Sequence, residues 1–165
     1  MLKSSYELHL TPLDEALFTQ LVPAGHYWRG LKAVIDFTPC RALVADCYSA
    51  DQGRGALDPV RLLKLLVLRF HYDLSDERVI EQAQVNLAFR CFLDLAWEET
   101  LPDPSLLSQF RTRLGDKKIA AIFQEILRQT RAAGLVKDRL RLTDATHLIA
   151  DLAVPATLGL PRRAP

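Results

Sequence analysis

The chain has 165 residues, 49% of them hydrophobic and 25% charged, with a formal net charge of +1. That is an ordinary globular composition, long enough to bury a core without disulfides, and it excludes a chain wrapped in a global basic field. The charge is uneven, however: residues 1–100 carry ten Lys/Arg against fourteen Asp/Glu, and residues 101–165 carry eleven against six, so the last third is net positive by five and leaves room for a local basic surface.

Residues 1–12 read as an irregular arm. A short helix is predicted over 13–21 and is stopped by Pro23 and Gly25. The apolar spacing of Trp28, Leu31, Val34 and Ile35 predicts a second helix over 27–37. Pro39 opens a third, with Leu43, Val44 and Cys47 on one face, and 49–58 is a glycine-containing loop. Asp58-Pro59 is a strong start signal: the Asp caps free N–H groups, and Pro at the first helical position loses nothing. The helix Pro59–His71 is apolar nearly all round and is predicted to be the central core helix.

Ser75 caps the next helix, running to about Gln84, with Asp76 and Glu77 where the helix dipole favours acids. A short helix follows over 86–93, then a turn-rich connector over 94–104. Asp103-Pro104 repeats the cap-plus-proline signal and opens a helix over 105–114, ended by Gly115. Asp116 caps the longest predicted helix, 117–133, with Ile119, Ile122, Phe123, Ile126 and Leu127 as its apolar stripe and Gly134 as its C-terminal cap. The period then changes to strand-like over 140–149. Residues 153–165, with three prolines and Arg162-Arg163, are predicted to be poorly ordered.

Cys40, Cys47 and Cys91 make no even disulfide set and no close pair, so they read as reduced, buried thiols of a cytoplasmic protein. No apolar run follows Lys3, so no signal peptide is read. The longest apolar cluster, 62–70, is interrupted by Lys64 and Arg69 and is too short to span a bilayer, so no membrane partner is expected.

Two constellations could carry chemistry. On an extended strand, Asp144 shares a face with Leu140, Leu142 and Thr146, a costly place for a carboxylate unless it is hydrogen-bonded or binds a cation such as Mg²⁺. His147 falls on the opposite face, and Asp151 lies beyond the strand pattern, so neither joins it. The second constellation is the helix group 75–84, 86–93 and 105–114, whose short helices and tight turns suit a helix-turn-helix. Its last helix offers Ser105, Ser108, Gln109, Arg111 and Arg113. Gln and Arg read adenine and guanine edges, while Ser and Arg also bind phosphate. The competing reading is an amphipathic helix with Leu106, Leu107, Phe110 and Leu114 in the core and a merely solvated polar face.

An ordered set of blocks then points to a family. It comprises Tyr48-Ser49-Ala50, Gly53-Arg54, Asp58-Pro59, Leu62-Leu63-Lys64 and His71-Tyr72-Asp73-Leu74-Ser75-Asp76-Glu77-Arg78. It continues with Phe89-Arg90-Cys91-Phe92-Leu93, Pro102-Asp103-Pro104-Ser105, Phe110-Arg111-Thr112-Arg113-Leu114, Gly134-Leu135-Val136 and Asp144-Ala145-Thr146-His147. Across roughly Trp28 to Leu158, this set resembles the N-terminal part of bacterial insertion-sequence transposases. The nearest group is the one named after insertion sequence eleven-eighty-two, among the insertion-sequence-five-like relatives.

The resemblance implies a mainly α protein. A helical bundle for DNA binding and dimerisation, residues 1–136, would carry the helix-turn-helix-like segment. Residues 137–165 would begin an RNase H-like catalytic domain that is expected to be truncated here. It implies that Asp144 is the first carboxylate of an Asp-Asp-Glu triad binding Mg²⁺. The other two carboxylates are absent from this sequence, so 1–165 is expected to be inactive alone. The implied partners are the terminal inverted repeats of the element, and a second copy of the chain in a homodimer. Rival readings remain: an enzyme completed by a second polypeptide, a stand-alone DNA-binding repressor of transposition, or a non-functional remnant.

Overall fold

The structure is a computed structural model that describes residues 6, 10–48 and 56–134. The predicted strand 140–149, Asp144, His147, Asp151 and the whole of the 137–165 segment lie outside the described residues, as do most of the N-terminal arm and of the 49–58 loop. Within the described residues the chain is mainly helical. Its helices are α1 (Pro12–Leu21), α2 (Tyr27–Val34), α3 (Cys40–Val44), α4 (Pro59–His71), α5 (Asp76–Val85), α6 (Leu87–Leu93) and α7 (Ser105–Ala132), with a 3-10 turn over Ala45–Cys47.

Helix α4 is the hub, packing against α3, α5, α6 and α7. Asp58 caps it by accepting from the Val60 N–H at 3.0 Å, and Arg41 of α3 clamps the same carboxylate at 2.6 and 3.0 Å. Leu65 and Leu68 are fully buried, and the core closes around them with Trp28, Phe92, Leu107 and Phe110. The Trp28 indole N–H donates to the Tyr72 hydroxyl at 3.0 Å, pinning α2 to the end of α4.

Helix α2 stops at Val34, short of the predicted 27–37. Ile35 turns extended (φ −107°, ψ 116°) while staying buried. The Gln129 side chain serves this extended stretch like a strand partner, accepting from the Asp36 N–H at 2.7 Å and donating to the Asp36 carbonyl at 2.8 Å. Those backbone groups are thereby satisfied without a helix.

The two predicted helices, 105–114 and 117–133, form the two arms of α7, and they part at Gly115 as predicted, where the backbone is non-helical with φ 59° and ψ 171°. That conformation is open to glycine and strained for any other residue. Asn86 alone joins α5 to α6. It ends α5 and also caps α6, its side chain accepting from the N–H groups of Ala88 (3.0 Å) and Phe89 (3.3 Å).

The connector between α6 and α7 is held by a buried polar network. Asp94, in the left-handed region (φ 54°), accepts from Lys64 at 2.6 Å and pairs with Lys32. Arg61 pairs with Glu99, and Arg90 donates to the carbonyls of Ala96, Trp97 (2.8 Å) and Glu99 (3.1 Å). Asp14, from the capping box of α1, accepts from the Trp97 N–H at 2.8 Å. These charges satisfy a turn that has no ladder of its own, and so fix where α7 begins.

Candidate nucleic-acid interface

The first arm of α7 is aimed by its apolar side. Leu107, Phe110 and Leu114 are 0%, 2% and 4% exposed, so this side is committed to the core against α4 and α5. With 3.6 residues per turn, Ser105, Ser108, Gln109 and Thr112 fall on the opposite side, and all four are exposed. Asp103 accepts from the Ser105 N–H at 2.9 Å and so starts the helix, as its pairing with Pro104 predicts. The Thr112 hydroxyl turns back onto the Ser108 carbonyl at 3.1 Å, while the Gln109 side chain makes no hydrogen bond among the described residues.

The two arginines of this arm leave the helix on opposite flanks. Arg113 is exposed, with its guanidinium 5.9 Å from the centre of the Tyr48 ring, and its carbonyl receives the Cys47 thiol at 3.3 Å. Arg111 is half-buried and bound to Asp76 at the start of α5, one of its two hydrogen bonds being 2.8 Å long. Arg111, and more weakly the charge of Arg69, hold the Asp76 carboxyl below its ordinary range against the opposing effect of burial. The structure thus brings Ser105, Ser108, Gln109 and Arg113 to one solvent-facing surface, and it spends Arg111 on an ion pair beside that surface.

Three residues that bear on the surface were not singled out in the sequence. Thr112 was legible, since it shares the Ser105–Gln109 side of the helix. Asp76 reads as a helix-start acid, which it is, but its pairing with Arg111 spans 35 residues and leaves no local trace. Tyr48 meets Arg113 only through the packing of α3 on α7.

Among the described residues no three His, Cys, Asp or Glu side chains converge to hold a metal ion. The Mg²⁺ implied by the resemblance therefore has no ligand set there, and Asp144 lies outside the described residues. Cys40 and Cys91 are buried and Cys47 is half-buried, all three free, and burial pushes the Cys40 thiol up to about 11. Burial raises the Cys91 thiol as well, so neither buried cysteine is poised as a nucleophile. No helix of the described residues is long and apolar enough to cross a membrane.

Residues 17–113 match the family described as Transposase domain (DUF772). The match runs from the second half of α1 through the first arm of α7 and covers more than half of the chain. The chain therefore belongs to that transposase-domain family. No curated protein and no solved structure matches it.

Proposed function

We propose that this chain is the DNA-binding part of an insertion-sequence transposase of the Asp-Asp-Glu type, and that it grips the terminal inverted repeats of its element with the exposed side of the first arm of α7. In this reading α5, α6 and that arm act as a helix-turn-helix-like unit. Ser105, Ser108 and Gln109 face the bases, and Arg113 contacts phosphate. The observation that carries the proposal is the division of that arm within a transposase-family domain: Leu107, Phe110 and Leu114 are buried while Ser105, Ser108, Gln109 and Thr112 face solvent. A homodimer, one copy for each inverted repeat, belongs to the same proposal, as does Asp144 as the first of three Mg²⁺-binding carboxylates.

The test is competition binding of the terminal repeat against random duplex, across a salt series. The repeat should bind more tightly. Gln109→Ala should lose about 1–3 kcal/mol and relax specificity at one position. Arg113→Ala should flatten the salt dependence by about one unit of slope on every duplex. Equal affinity for both duplexes, unaffected by either change, contradicts the proposal.

A further inference from the structure

Behind the exposed side of α7, on the flank away from Arg113, two guanidinium groups share one carboxylate. Asp76 is 12% exposed in its side chain, and Arg69 of α4 and Arg111 of α7 are 26% and 28% exposed. The Arg111 fork takes both oxygens of Asp76. Arg69 approaches one of the same oxygens with its Nε at 2.7 Å, but without the alignment of a hydrogen bond. Among the described residues the terminal nitrogens of Arg69 meet no acceptor. Its guanidinium lies 5.2 Å from the centre of the Phe70 ring, which is 49% exposed at the protein surface. The three groups sum to +1, the nearby Glu77 carboxylate also feels the charge of Arg69, and both guanidinium groups stay partly exposed.

We propose that Arg69 and Arg111 form a phosphate clamp for one strand of duplex DNA, with Asp76 standing in for the phosphate when DNA is absent. This rests on the reading of α7 as the DNA-facing helix and extends it. A helix with side chains is about 10–12 Å across, and the major groove is about 12 Å wide, so a helix lying in the groove meets a phosphate strand on each flank. Arg113 stands on one flank and the Arg69–Asp76–Arg111 triad on the other. The carboxylate holds both guanidinium groups in position, so little side-chain freedom remains to be lost when a phosphate arrives. Arg69 still has its terminal N–H groups to donate, and Phe70 limits where they point.

The experiment measures binding of the full chain to a random-sequence duplex in a salt series, because phosphate contacts are sequence-independent. The variants are Arg69→Gln, Asp76→Asn and, for the opposite flank, Arg113→Ala. Tryptophan fluorescence and circular dichroism check that each is folded. Arg69→Gln leaves the Asp76–Arg111 fork in place, so it tests the clamp even if Asp76→Asn does not fold. Arg69→Gln should flatten the slope by roughly 0.9, the contribution of one phosphate on B-form DNA. Asp76→Asn should bind several-fold more tightly than the parent, whereas a purely structural Asp76 would make binding weaker. If the parent binds and Arg113→Ala weakens it, but Arg69→Gln keeps the parental slope or a folded Asp76→Asn binds no more tightly, the clamp is overturned and the α7 reading stands. If the parent binds no duplex at all, both are overturned.

Discussion

Replacing Asp94 by asparagine removes a negative charge from the middle of the fold without altering what the backbone demands, since asparagine also tolerates the left-handed conformation at φ 54°. Two lysines lose their counter-charge. Lys32 is 35% exposed and will rehydrate, so its loss counts for little. Lys64 is 9% exposed, 2.6 Å from the carboxylate, and cannot rehydrate. Stranding one member of a buried pair costs about 3–5 kcal/mol. Phe92 and Phe37, with ring centres 5.4 and 5.9 Å from the Lys64 ammonium, retain part of the stabilisation, which puts the expected loss near the lower end, about 3 kcal/mol.

The pH dependence identifies the cause. Burial already holds the Lys64 pKa below its ordinary value against the pull of Asp94, and without that carboxylate it must fall further. A lysine depressed in the folded state binds fewer protons there than in the unfolded chain. The deficit of Asp94→Asn should therefore shrink as pH rises from the folded pKa towards the unfolded value of about 10.4. Adding Lys64→Met removes the stranded charge and should recover most of the loss. The assay is urea unfolding followed by tryptophan fluorescence (Trp28 and Trp97), with an unchanged m value. An Asp94→Asn variant within about 0.5 kcal/mol of the parent, or a double variant no better than the single, would refute the reasoning.

Other outcomes follow from the same geometry. Gly115→Ala should cost about 1–3 kcal/mol by urea unfolding, all of it from backbone strain, because a Cβ there meets nothing within 4 Å; unchanged stability would mean that the break in α7 is optional. Burial lowers the His71 pKa, so its imidazole should titrate by NMR below the ordinary value of about 6.5. Because the unfolded chain takes up that proton first, the chain should lose stability as pH falls from about 6.5 to the folded midpoint; a midpoint above 6.5 contradicts this. Cys40, 3% exposed with its thiol near 11, should resist iodoacetamide at mildly alkaline pH in the native chain and react once unfolded; rapid native labelling would contradict its burial.

The helix starts were legible because their signals are local. Asp58-Pro59 and Ser75 act within a turn of themselves, and each caps in the structure as its chemistry predicts, while Asn86, read as the first residue of its helix, proves to be the cap just before it. The end of α2 was not legible, because Gln129 satisfies the extended backbone at Asp36 from 93 residues away. The break at Gly115 was legible too, because tolerance of a positive φ is a local property of glycine, and the two arms of α7 part there as read. The apolar stripe predicted for 117–133 is only partly covered, with Ile122 and Leu127 buried and Ile119 39% exposed, since periodicity shows which residues share a face but not what covers it. At the candidate interface, spacing placed Ser105, Ser108 and Gln109 together. It left Arg111 and Arg113 looking equivalent, and only the long-range partner Asp76 tells them apart.

The most direct test of α7 as the DNA-contacting helix is a backbone and side-chain NMR titration of the chain with its element's terminal repeat at moderate salt. The account predicts the largest shifts at Ser105, Ser108, Gln109, Thr112 and Arg113, with the buried Leu107 and Phe110 little changed. Saturable binding whose shifts leave those five residues unmoved would contradict it.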